Sequence, residues 1–160
     1  MVVLTVAGQR HALNAAGVVE VLPWLPVASL VLAPPAVVGV IDYRGTVVPV
    51  VDLCRLLVGR DCRRWLASRM AVVRVGPPAR HRLVALLAEG CTLTRLDTAS
   101  AQPGLHRPDA PFLGPLLNDG DGLLQSIDPE QLLGAEIIDA VLSAAADLPP
   151  DPLSAQAHGR

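Results

Sequence analysis

Residues 37–57 read VVGVIDYRGTVVPVVDLCRLL. Two apolar runs rich in Val and Ile enclose a polar centre, Asp42-Tyr43-Arg44-Gly45, and Asp52 then opens a short helical pattern. β-Branched residues suit a pleated, half-buried surface, and Gly45 takes a positive φ at little cost, so the unit is predicted as strand, turn, strand. Asp42 and Arg44 allow two readings. They pair with each other across the turn, which adds little stability when exposed. Alternatively, Arg44 points outward as a forked donor for a partner's carboxylates. Asp42 orienting Arg44 for such a partner would combine the two.

A second stretch, PFLGPLLNDGDGLLQSIDPEQLL over residues 111–133, repeats the scheme. Gly39 aligns with Gly114, Gly45 with Gly120 and, after one extra residue, Asp52 with Asp128. Each Asp is placed to cap a helix N-terminus, and Pro129 and Glu130 suit a first turn. Residues 2–21 and 70–96 correspond more weakly, each with two strands around a turn and a third strand after Gly17 or Gly90. Short strands with turn signals every ~8–12 residues argue for an all-β fold, and two such sets suggest two small closed barrels. The expected subdomains cover residues 1–66 and 67–134, with exchange of terminal strands possible and a Pro-containing linker over residues 97–111. Ile137, Ile138, Val141 and Leu142 lie at helical spacing, so a terminal helix closes a domain over residues 1–146. Residues 147–160 are expected to form a flexible tail.

Composition narrows the function. The 160 residues suit one domain with a sizeable core. Hydrophobic residues make up 51% of the chain and aromatic residues 2%, so the core is aliphatic and lacks the stacking platforms of single-strand binders. A net charge of -2 gives no electrostatic case for nucleic acid. The basic run at 60–64, RDCRR, reads as a solvated loop. Residues 21–41 hold 21 residues without a charge, but Pro23, Pro26, Pro34 and Pro35 would break a membrane helix. A loop between strands is expected there, without membrane insertion. No secretory signal is read, which places the protein in the cytoplasm.

Cys54, Cys62 and Cys91 show no close C-x-x-C spacing and are expected to be reduced thiols. His11, His81, His106 and His158 stand far apart, so no metal site is expected. Paired carboxylates among Asp42, Asp52 and Asp128 could suggest a hydrolase, but capping explains Asp52 and Asp128 more simply. Cys54 and Cys91 fall in apolar runs, where an inert buried thiol is the commoner case. With no phosphate-binding glycine loop either, neither catalysis nor a cofactor is expected.

The stretch GVIDYRGTVVPVVDLCRLL resembles the signature of the CheW-like domain, the coupling module of bacterial chemotaxis and related signalling arrays. Gly39, Arg44, Gly45, Pro49, Asp52 and Leu53 carry the match, and Val18, Glu20 and Val21 in AAGVVEVLP are similar to the family's second hairpin. DGDGLLQSIDPEQLL is similar to its closing strands and helix, so the resemblance runs from Met1 to Leu133. It implies two pseudo-symmetric five-stranded barrels of SH3-like type and no catalysis. It also implies an adaptor between the cytoplasmic tip of a methyl-accepting receptor and the regulatory domain of a CheA-type histidine kinase. The output would be chemotaxis, surface sensing or pilus motility.

The partner-binding residues implied are Val18, Glu20, Val21, Gly39, Asp42, Arg44 and Gly45. Without the resemblance, Glu20 would read as a solvated carboxylate and Gly39 as an aid to close strand packing. Asp42 stands where the family usually has Asn. Two rival readings are a small-ligand-binding duplicated barrel, with its cleft between the halves, and a degenerate member that binds one partner alone.

Overall fold

The computed structural model describes residues 1–105 and 107–146, and the tail expected over residues 147–160 lies outside the described residues. The first half supplies β1 (Val2–Val6), β2 (Gln9–Leu13), β3 (Val18–Pro23), β4 (Val37–Tyr43), β5 (Thr46–Asp52) and helix α1 (Leu53–Val58). The second supplies β6 (Arg69–Val75), β7 (Arg82–Ala88), β8 (Gly90–Leu93), β9 (Leu113–Asn118), β10 (Leu123–Ile127) and helix α2 (Pro129–Ala146). The all-β reading holds, with ten strands and two α-helices among the described residues.

The strands form two five-stranded sheets, ordered β3-β6-β7-β5-β4 and β8-β1-β2-β10-β9. Position by position the two sheets have the same plan: three antiparallel pairings and one parallel pairing, β5 with β7 and β10 with β2. Strands from residues 1–66 and from 67–134 enter both sheets. Hairpin β6–β7 completes the sheet of β3, β4 and β5, while hairpin β1–β2 completes the sheet of β8, β9 and β10.

Each sheet closes through the chain that follows its edge strand. Beyond β3, Ala28 exchanges two backbone hydrogen bonds with Val40 of β4, at 2.8 and 2.9 Å. Beyond β8, within the stretch expected as a linker, Gln102 does the same with Leu116 of β9, both at 2.9 Å. Pairing of this kind satisfies edge donors and acceptors that would otherwise template aggregation.

Glycines permit both closures. A Cβ on Gly39, whose φ is +153°, would overlap the carbonyl oxygen of Ala28. A Cβ on Gly104 would overlap that of Gly114. The aligned pair Gly39 and Gly114 therefore mark the two places where backbone crosses backbone.

The aspartates cap as expected. Asp52 Oδ1 accepts the Cys54 and Arg55 amides at 2.8 and 3.1 Å, and Asp128 Oδ1 accepts the Glu130 amide at 2.9 Å. Helix α2 is two helices merged across Gly134, whose φ of 62° and ψ of 156° break the turn. Leu132 and Leu133 before the break are buried, and Ile137 and Ile138 after it pack partly against the core. The side chains of Val141 and Leu142 lie outside the described residues.

The core is aliphatic. On β1, Val2, Leu4 and Val6 join the main core that spans both sheets, while Val3 faces a smaller cluster with Ala12, Leu117 and Leu124. Alternate side chains point to opposite faces of a strand, so β1 is buried on both and acts as a wall between the barrels. Among the described residues, no helix is long and apolar enough to cross a membrane.

Candidate functional site: a hairpin tip beside an apolar groove

The hairpin tip pairs Tyr43 with Thr46 and leaves Arg44 and Gly45 as its two loop residues. Their φ values are 52° and 80°, the positive pair that a two-residue type I′ turn demands. For Gly45 this is free. A non-glycine residue in the left-handed region pays about 1–2 kcal/mol, so Arg44 sits at the apex under local strain. Asp42 Oδ1 accepts the Gly45 amide at 2.7 Å and holds the turn. The local Asp42–Arg44 bridge considered from the sequence is therefore replaced: Asp42 spends its carboxylate on the backbone, as Asp commonly does in turns.

Arg44 instead reaches β3. Its Nη2 donates to Glu20 Oε2 at 2.8 Å, and the Tyr43 hydroxyl donates to the same oxygen at 2.6 Å. The guanidinium also lies 5.1 Å from the centre of the Tyr43 ring. The Arg44 side chain is 74% exposed and that of Glu20 36%, which makes this a surface ion pair worth at most ~1 kcal/mol in itself. Tyr43 is buried, and its hydrogen bond to Glu20, with desolvation second, raises the phenol pKa against the opposing pull of Arg44.

Glu20 borders an apolar groove between the two barrels. β3 contributes Val18, Glu20 and Val21; Val2 of β1 and Cys91 and Leu93 of β8 form the facing wall. Strict alternation along β3 would set Val18 and Val21 on opposite faces. The register shifts between Val18 and Glu20, and this bulge brings Val18 and Val21 to one face, with Glu20 at the groove's border. Leu93 is 81% exposed, an apolar side chain left for solvent at the groove's rim.

Of the expected site residues, Val18, Glu20 and Val21 share the groove, and Arg44 joins them through Glu20. Asp42 and Gly45 shape the turn that carries Arg44. Gly39 stands apart from this cluster at the Ala28 crossing. Sequence reasoning missed Tyr43, whose place opposite Asp42 in the strand alternation marked it as inward-facing. It also missed the far wall, which comes from strands distant in sequence.

The basic run is only partly the solvated loop expected. Arg60 pairs with Glu89 at 3.0 Å, and Arg64 stacks 4.7 Å from the Trp24 ring centre. Cys62, in the middle of the run, is buried.

Two small barrels built on one plan, with an apolar groove between them and Arg44 linked to its border through Glu20, define a duplicated β architecture. The CheW-like domain family profile matches residues 1–136, and the chain belongs to this family. The crystal structure of the scaffolding protein TtCheW from Thermoanaerobacter tengcongensis superposes with a TM-score of 0.74 at 20% sequence identity, covering 85% of this chain and 92% of that one. No curated protein sequence matches the chain.

Proposed function

We propose that the chain is a non-catalytic cytoplasmic adaptor. It couples the cytoplasmic tip of a chemotaxis-type methyl-accepting receptor to the regulatory domain of a CheA-type histidine kinase. Membership of the CheW-like family supports the class of role. The observation that carries it on this chain is the apolar groove of Val2, Val18, Val21 and Leu93, flanked by the Glu20–Arg44 pair. An apolar centre with a polar, charged rim is the composition of a protein interface, and an arginine at the rim gives it orientation. A receptor helix hairpin laying an apolar stripe in the groove would present carboxylates to Arg44.

Pull-down of the protein with a receptor tip fragment and with the kinase regulatory domain tests this reading, run beside Arg44→Ala and Glu20→Ala. Capture of both partners, with one lost in a variant that keeps its circular dichroism and melting midpoint, supports the adaptor and locates the patch. Capture of neither overturns it. A small-molecule-dependent thermal shift would then favour a ligand-binding barrel using the same groove.

A further inference from the structure

Away from the groove, the fold brings together two of the three thiols. Cys54 in α1 and Cys62 in the loop that follows are both buried, and their Sγ atoms lie 2.6 Å apart. One carboxylate arranges them. Asp52 Oδ1 accepts the Cys54 amide at 2.8 Å while Oδ2 accepts the Cys62 amide at 2.9 Å. Glu89 anchors the loop a second time, accepting the Arg63 amide at 3.1 Å and Arg60 Nη1 at 3.0 Å. A stretch that reads as charged and solvated is thus turned so that its cysteine faces inward.

Two chemistries fit a carboxylate and two thiols whose ligand atoms lie within 4.8 Å of one another: metal binding and disulfide formation. The sulfur positions decide between them. Tetrahedral zinc with Zn–S bonds of ~2.3 Å holds its sulfurs ~3.8 Å apart and needs a fourth ligand. At 2.6 Å no ion fits between the thiols, and Asp52 has already committed both oxygens to backbone amides. A disulfide, at ~2.05 Å, asks the sulfurs to close by about half an ångström.

We propose that Cys54 and Cys62 form an oxidisable pair that closes to a disulfide in the presence of peroxide and clamps the Arg60–Trp65 loop to its barrel. Cys62 is on the loop, so opening of the loop brings its sulfur to solvent first. Its thiol gives up a proton, the thiolate attacks one peroxide oxygen, the O–O bond breaks, and the departing hydroxide takes up that proton to leave as water, giving a sulfenic acid. The Cys54 sulfur then attacks the Cys62 sulfur and displaces hydroxide, which takes the Cys54 proton and departs as water. Two S–H bonds and one O–O bond are exchanged for one S–S bond and two waters. Desolvation raises the pKa of both thiols, so the closed pair is unreactive and the rate follows loop opening. Half-buried Cys91 stands outside the pair.

The test uses the folded wild-type protein, incubated with hydrogen peroxide, quenched, alkylated under denaturing conditions and mapped without reduction. A peptide linking Cys54 to Cys62, lighter by two hydrogens than the summed thiols and reopened by dithiothreitol, is the expected product. Cys91 remains alkylated, and Cys62→Ala gives no linked peptide. Full alkylation of Cys54 and Cys62 after peroxide overturns the proposal, as does a dominant link to Cys91. Native mass spectrometry that finds zinc retained by the reduced protein also overturns it and assigns the trio to a metal.

Discussion

Glu20 lies on one edge strand of its sheet and Arg44 at the tip of the hairpin that forms the other edge, so their 2.8 Å ion pair spans the seam of the barrel. The pair is exposed, and so its structural and functional weights separate. A double-mutant cycle with Glu20→Ala and Arg44→Ala should give a coupling of ~0.2–1 kcal/mol in urea unfolding. Partner affinity should fall about tenfold or more in each single variant. A coupling several times larger, with affinity unchanged, would make the pair a structural clasp and remove it from the interface.

Tyr43 offers a spectroscopic check, because the chain has one tyrosine. Its hydrogen bond to Glu20 favours the protonated phenol and raises its pKa in the fold. The stabilisation is then fully present below pH ~10, the unfolded value, and is lost as pH rises through the raised folded value. Phenolate absorbance should titrate above the tyrosine of a denatured control. Glu20→Gln should lower the midpoint, and Arg44→Ala should raise it further by removing a cation that favours the phenolate. An unshifted wild-type midpoint would show that the bond is absent in solution.

Gly39 marks a collision point. In Gly39→Ala the new methyl group meets the Ala28 carbonyl and the Val27 side chain, in a backbone conformation that already disfavours it. A loss of about 3 kcal/mol is expected, read as a lower urea midpoint at unchanged slope. A loss under ~1 kcal/mol would mean that the 27–28 segment can lift away from β4.

Asp52 uses both carboxylate oxygens on backbone donors, so shape alone cannot replace it. Asp52→Asn turns an amide donor toward one of those donors and should cost ~1–3 kcal/mol. Asp52→Ala, which also removes the helix cap, should cost about 3 kcal/mol or more. Equal costs for the two variants would show that the Cys62 amide finds another acceptor.

Strand content, the repeat and both caps were legible because each rests on local chemistry: β-branched runs, glycine turns, and an aspartate before a helix. The partition of strands between sheets was not. It depends on the parallel pairings β5 with β7 and β10 with β2, which join segments more than thirty residues apart in sequence and leave no local mark. Arg44 was legible as exposed, but of its two open readings the local pair with Asp42 is replaced by one with Glu20. Asp42 is the nearer carboxylate in sequence, yet the Gly45 amide claims it and leaves Glu20 to the guanidinium. Cys62 misled for the opposite reason. Four charged neighbours spoke for solvent, while one buried carboxylate far away in neither sequence nor space turned it inward.

Among the described strands, the chain passes between barrels at two short links, residues 14–17 from β2 to β3 and the single residue Glu89 from β7 to β8. These links sit beside the groove's two walls, since β3 and β8 both begin there and both line it. Such stitching leaves little slack for one barrel to slide against the other. On the proposed adaptor role, the groove would work as a gauge of fixed width: a partner would be accepted by matching that spacing, and a load applied to one barrel would be carried into the other through covalent chain.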